Sequence, residues 1–278
     1  MKHYAILLLQ EQYWSVYTKS SPIHHSWTLF EPTTINNEHP RTAIYINNNL
    51  LIAAQVTPIK LPFSDVTAIQ LNTTGEKPML IINVYNPSDK NIIPELHRHL
   101  HRLDMRNYET IIVTGDFNSH HPLWNPMGYT RHDEEADTLV EMMADLELNP
   151  LLPPGTITYP HAGTAIDLVW GNEEAMNRII KCQIGEEHDH GSDHLPIETI
   201  IAIQIETPQK LPSYNYVKTD WGELIAKLER CLPSITLIKR KAVKCTDIDN
   251  FAEQLVQAIS KAVEETTPRK NPTPHSKR

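Results

Sequence analysis

The sequence predicts a mixed α and β (α+β) fold. Three observations carry that prediction: short β-branched runs that end in polar residues, helical spacing of Leu and Met between them, and strand and helix signals that intermingle along the chain. The strongest run is residues 111–121, Ile-Ile-Val-Thr-Gly-Asp-Phe-Asn-Ser-His-His. Ile111, Ile112 and Val113 suit a strand buried on both faces, and Gly115 is expected to let the backbone turn before Asp116. Asp116 and Asn118 stand two residues apart, and in an extended chain such positions leave the same side. The pair can hold a phosphate and a water together, although Gly-Asp-x-Asn is also a common turn.

The remaining elements follow in order. Residues 4–10 read as a buried strand leading into Glu11, and segments 41–46 and 50–56 read as a hairpin about Asn47, Asn48 and Asn49. Segments 66–72 and 78–85 are further strands, the second running into Tyr85-Asn86-Pro87. Leu96, Leu100 and Leu103 give residues 94–106 a helical face, with Pro94 in the first turn. His97, His99 and His101 point in different directions on such a helix and read as a solvated face rather than a metal cluster. Residues 134–148 form a second amphipathic helix, with Leu139, Met142, Met143 and Leu146 inward and the Met pair filling core. Pro153-Pro154-Gly155 is a turn, 156–159 a short strand, and 166–170 a strand with Asp167 embedded in an apolar run. Gly191-Ser192-Asp193-His194 then leads into a strand over 197–205.

Near residue 205 the character changes, which divides the chain into 1–205 and 206–278. Pro208, Pro212 and the tyrosines 214 and 216 read as a linker. Asp220 or Thr219 is placed to cap a helix over 221–231. Ile248, Phe251, Leu255, Ile259 and Val263 define an amphipathic helix over 247–265, and the Pro- and Lys/Arg-rich residues 267–278 read as disordered.

Composition narrows the class. The 278 residues are 40% hydrophobic and 21% charged, as in a globular protein with ample core. No apolar run is long enough to span a bilayer and no secretory signal is visible, so no membrane partner is expected. Three well-separated cysteines give neither a disulfide framework nor zinc spacing, which fits an intracellular setting. The net charge of -9 is uneven: residues 1–205 hold 12 Lys and Arg against 25 Asp and Glu, and residues 206–278 hold 13 against 9. Composition thus gives no support for tight, sequence-independent binding to nucleic acid. Lys239-Arg240-Lys241 is too short a run to act as a targeting signal.

Four strand ends each deliver a carboxylate, and the motifs LLLQE, VYNP, GDFNSHHPLW, GTAIDLVW and GSDHLPI occur in that order. Over residues 4–205 they resemble the endonuclease/exonuclease/phosphatase superfamily. GDFNSHHPLWNP followed by LNPLLPPGTITY looks like the apurinic-type endonuclease domain of non-LTR retrotransposons. That resemblance implies a four-layer sandwich, two packed β-sheets flanked by helices, with the site at one edge. It implies Mg²⁺ (with Mn²⁺ as a substitute) held by Glu11, to which Asp193 would contribute. It implies that Asp116 orients or deprotonates the attacking water and that Asn118 holds that water or the phosphate. His194 would sit against the scissile phosphate with Asp167 behind it, and Tyr85 would offer its phenol there. His120 and His121 are taken as positioning or core residues.

DNA is then the implied substrate, nuclear residence follows from it, and the implied role is nicking to prime a reverse transcriptase domain of the same polyprotein. One departure stands out. Members of the family begin with a strand carrying an Asn that helps bind metal and phosphate, whereas Met1 here lies only a few residues before the Gln-Glu strand. The first strand is therefore expected to be missing, as in a truncated element. Two rivals follow: a catalytically silent remnant, and a superfamily phosphatase or RNA exonuclease acting on another phosphoester.

Overall fold

In a computed structural model, residues 4–32, 39–51, 55–74, 77–185, 191–204, 213–232 and 245–270 are described. They form two compact units, Met1–Thr207 and Pro208–Arg278. The first is built on a six-stranded sheet of order β4-β5-β6-β7-β9-β8. Its strands are β4 (Val56–Ile59), β5 (Val66–Leu71), β6 (Met79–Tyr85), β7 (Thr110–Asp116), β8 (Asn149–Pro150) and β9 (Asp167–Gly171). Strands β6 and β7 pair in parallel and the rest antiparallel. A parallel pair needs a crossover, and α1 (Ile93–Arg102) supplies it.

Alternation along the strands sorts the core into two layers. Leu80, Ile82, Val84, Ile111, Val113, Leu168 and Trp170 pack with Leu96 and Leu100 of α1 and with Leu139, Met142 and Met143 of α2 (Glu134–Asp145). The intervening residues Met79, Ile81, Ile112 and Val169 pack on the other face against Ile44 and Ile46. Those two belong to β3 (Thr42–Asn47), the middle strand of a short sheet with β1 (Ile6–Gln10) and β2 (Trp27–Phe30) on its sides. The two-stranded ladder of β10 (Ile179–Ile184) and β11 (Ile197–Ile201) packs Cys182, Ile197 and Ile201 on the same core. This is the layered arrangement of packed sheets flanked by helices that the motifs implied. The second β layer is in two pieces. Among the described residues no backbone ladder joins β1 to β11, and the Tyr4 hydroxyl donates to Glu198 Oε1 at 3.1 Å between them.

Several local expectations are corrected. Strand β1 is a half-buried edge strand, with Leu9 39% exposed, because among the described residues it pairs only with β3. Among the described residues, segments 41–46 and 50–56 do not form a hairpin, residues 52–54 lying outside them. The Asn47 carbonyl accepts from the N–H groups of Leu50 and Leu51, which coils the chain, and the next strand, β4, pairs in the other sheet. Residues 156–159 are not a strand: Thr158 N–H donates to the Thr164 carbonyl at 3.0 Å and Tyr159 makes an isolated bridge to Thr164, across a turn at 160–163. Helix α1 ends at Arg102, short of residue 106. Its histidines are not simply solvated: His97 meets Asp145 at 3.1 Å and His99 lies edge-on to Phe63.

Helix α3 (Glu173–Arg178) belongs to the first unit, and the second holds α4 (Trp221–Cys231) and α5 (Cys245–Thr266). Asp220 caps α4, its Oδ1 accepting from Glu223 N–H at 3.0 Å. Tyr214 is not linker and Arg269 is not disordered, since β12 (Ser213–Tyr214) pairs with β13 (Arg269–Lys270). Residues 205–212, 239–241 and 271–278 lie outside the described ones. No helix among the described residues is long and apolar enough to cross a membrane.

Candidate active site

Asn83, Tyr85, Asp116 and Asp167 occupy alternate positions in step with Met79, Ile81, Ile112 and Val169, so they face the second β layer. Tyr85 and Asp116 are register partners across β6 and β7, and Asp116 and Asp167 across β7 and β9. Three neighbouring strands therefore end in one row of polar side chains.

Gly115 belongs inside β7 and makes no turn there. A Cβ at this position would lie 1.8 Å from the Val84 carbonyl oxygen, and its φ is +144°, so the strands meet this closely only through glycine. The turn comes at Asn118, whose φ is +47°. Asn118 thus reaches Asp116 by coiling back, not in the extended geometry expected. Its N–H donates to Asp116 Oδ1 at 3.0 Å, and its Nδ2 donates to Asp116 Oδ2 at 3.1 Å and to the Asn86 carbonyl at 3.0 Å.

Asp167 accepts from His194 Nδ1 at 2.9 Å. The Thr158 hydroxyl takes the N–H groups of Ile166 and Asp167, both at 3.1 Å, and Tyr159 stacks at a tilt on the His194 ring, 4.9 Å between centroids. With Nδ1 engaged, Nε2 of His194 is the nitrogen left to face a substrate. Asp193, one residue earlier, is exposed, and its charge acts on His194.

Glu11 follows β1 with φ +49°, its N–H donating to the Arg41 carbonyl at 2.8 Å and its Oε1 accepting from the Tyr85 hydroxyl at 2.5 Å. The phenol is thus spent on Glu11. Arg41 lies over the Tyr85 ring at 5.3 Å and forms a bidentate pair with Asp65. Asn83, wholly buried, donates to the carbonyls of Leu9 and Ala43 and accepts from Gln10, which ties the end of β1 to the large sheet.

The electrostatics divide the acids. Burial, then the charge of Asp167 opposite, pushes Asp116 up to about 7, against the pull of His194. The Asp167 hydrogen bond raises His194 to about 9, with Asp116 and Asp193 adding to it. Burial and the bond to Glu11 raise the Tyr85 phenol. One ligand atom each from Asp116, Asp167 and His194 lie within 4.8 Å of one another, and Glu11 is near enough for its charge to act on Asp116. Clustered carboxylate oxygens fit a hard divalent cation.

Sequence reading missed Asn86, Arg41, Asp65 and Thr158. Asn86 sits in the VYNP motif, and its side chain donates to the Phe117 carbonyl and accepts from Ile92 N–H, both at 2.9 Å, which fixes the loop below Asn118. Asp65, an acid directly before an apolar strand, carried a signal of the same kind as Glu11.

Packed sheets with acids and an imidazole gathered on strand ends at one edge are the arrangement that the motifs implied. Residues 79–198 match the family described as endonuclease-reverse transcriptase. Among solved structures, the fold is similar to the endonuclease domain of TRAS1, a telomere-specific non-LTR retrotransposon. That match has 18% identity, covers 73% of this chain and 88% of that one, and has a TM-score of 0.56. The AP endonuclease LMAP of Leishmania major matches at 14% identity over 70% and 77% of the two chains, with a TM-score of 0.56. The 3'-5' exonuclease NExo of Neisseria meningitidis matches at 14% over 71% and 89%, with a TM-score of 0.51. Comparison with curated proteins finds no significant match.

Proposed function

We propose that this chain is a divalent-metal-dependent DNA endonuclease, of the kind that nicks one strand so that a reverse transcriptase can extend the 3′-hydroxyl. The observation that carries the reading is the row Glu11, Tyr85, Asp116, Asp167 and His194, with Asn118 folded back onto Asp116. Phosphodiester hydrolysis needs an activated water, neutralised phosphoryl charge and a stabilised leaving oxygen. The row offers a group for each.

Glu11 and Asp116 would hold Mg²⁺ or Mn²⁺, with Asp193 as a further carboxylate nearby. When bound, the ion supplies positive charge to the phosphoryl oxygens. Asp116 would orient the attacking water or take its proton, with the Asn118 amide beside it. His194 is cationic at neutral pH, held by Asp167, and presents Nε2 to the charge that builds on the phosphate. Tyr85 positions Glu11 through its phenol. The endonuclease-reverse transcriptase family and the retrotransposon domain favour DNA over other phosphoesters, and a DNA substrate goes with nuclear residence.

Nicking of supercoiled plasmid tests this. The purified chain is expected to convert it to open circle with Mg²⁺ and not with EDTA, while Asp116→Ala and His194→Ala each lower the rate by about 10²–10³-fold. A folded protein with no metal-dependent nicking would favour the silent remnant, and turnover of a different phosphoester would favour the phosphatase reading.

A further inference from the structure

A second cluster of ligating side chains lies outside this row. His121, His132 and Asp137 bring one ligand atom each within 4.8 Å of one another. Asp137 is in the first turn of α2, and the two histidines stand at the start and end of the loop that leads to it. His132 Nε2 is 2.8 Å from Asp137 Oδ1, and His121 Nε2 is 3.7 Å from the same oxygen. The imidazole rings meet edge-on, 4.7 Å between centroids, and the Trp124 ring lies at a tilt to His121, 5.1 Å between centroids.

We propose that these three residues form a transition-metal clip, a Zn²⁺ site that fastens the loop between His121 and His132 to helix α2. Tetrahedral zinc with bonds of about 2.0–2.1 Å sets its ligand atoms about 3.3 Å apart. The 2.8 and 3.7 Å separations bracket that value, so small side-chain movements complete the site. Three protein ligands leave a fourth position for water. The donor set separates this ion from the one in the catalytic row: two imidazoles and one carboxylate suit Zn²⁺, whereas clustered carboxylates suit Mg²⁺. His121 Nδ1 now accepts from Leu123 N–H at 3.0 Å, which turns Nε2 towards Asp137. Metal at Nε2 moves the ring proton to Nδ1, and the amide of the exposed Leu123 passes to water. The clip would steady a segment that begins three residues after Asn118, yet it uses no residue of the hydrolytic row.

Zinc uptake by the full chain, stripped of metal and titrated against a chromogenic chelator in excess Mg²⁺, tests the site. Asp116→Asn serves as the background that weakens the other cluster. That background protein is expected to take up one equivalent of zinc, which His132→Gln and Asp137→Asn lose and Glu141→Gln, on the same helix, keeps. Both ligand changes fall on exposed side chains, so circular dichroism should show the fold unchanged. Co²⁺ in place of zinc should give the visible bands of a tetrahedral site in the background protein and not in the two variants. Zinc uptake that survives both ligand variants, or that disappears with Asp116→Asn alone, would overturn the clip. Neither result would bear on metal-dependent nicking.

Discussion

At the scale of single residues, the Asp167–His194 pair makes the sharpest demand. His194 at about 9 lies above its ordinary 6.5, so the folded chain holds this proton more tightly than the unfolded one. The resulting stability is complete below about 6.5 and is lost as pH rises through 9. Asp116 at about 7 lies above its ordinary 3.8, and there too the folded state favours the protonated form. Its ionisation drains stability as pH rises from about 4 to 7. In chelator, thermal denaturation should therefore show the chain losing stability from weakly acid to alkaline pH. Asp167→Asn keeps the shape but removes the charge behind the imidazole. It should cost about 1.5–3 kcal/mol at pH 6, the worth of a hydrogen bond to a charged group. The alkaline loss between 6.5 and 9 should flatten, and the His194 ring titration followed by NMR should fall towards 6.5. A ring that still titrates near 9 in that variant would place the cause elsewhere.

At the scale of elements, Gly115 is the point where packing and chemistry meet. Two strands run in parallel with backbone atoms nearly touching, and this aligns Tyr85 with Asp116. Gly115→Ala drives a Cβ into the Val84 carbonyl and should leave little folded protein, with a loss above about 4 kcal/mol. Gly128→Ala, at φ +87° with open space around it, should cost only the about 1–2 kcal/mol of a left-handed backbone. Urea denaturation of the two variants side by side checks this, and similar midpoints would mean that the close approach relaxes. The same element shows what was legible in sequence. The β-branched run 111–113, the helical leucines of 94–106 and 134–148, and the acid inside 166–170 all signal through local pattern, and β7, α1, α2 and β9 lie there. Asn118 was readable as a residue type, but its φ was not, because the coil depends on the Asn86 carbonyl arriving from another strand. Asn47 to Asn49 carry turn chemistry without stating which sheet the chain enters next. Thr158 and Asn86 escaped because they bond to backbone groups of other segments, which no local pattern records.

At the scale of the whole molecule, charge decides how a polyanion is held. Residues 1–205 carry 12 cationic against 25 acidic side chains, and Arg41 and Arg178, which belong to that part, are committed to Asp65, Glu109 and Glu174. A duplex gripped by a broad basic face would give up many counterions on binding, and its affinity would fall about 10³–10⁵-fold between 50 and 200 mM salt. Each phosphate neutralised contributes about 3.5-fold over that range. A chain that meets DNA mainly through the bound cation and His194 engages one or two phosphates, so the expected loss is about 3- to 12-fold. Fluorescence anisotropy with Asn118→Ala, which slows hydrolysis and keeps the acids and His194, a labelled duplex and constant Mg²⁺ reads this slope directly. A shallow slope would mean that recognition rests on the hydrolytic row and on the shape around it. A steep one would mean that residues 206–278, with 13 cationic side chains against 9 acidic, carry the grip in place of the catalytic unit.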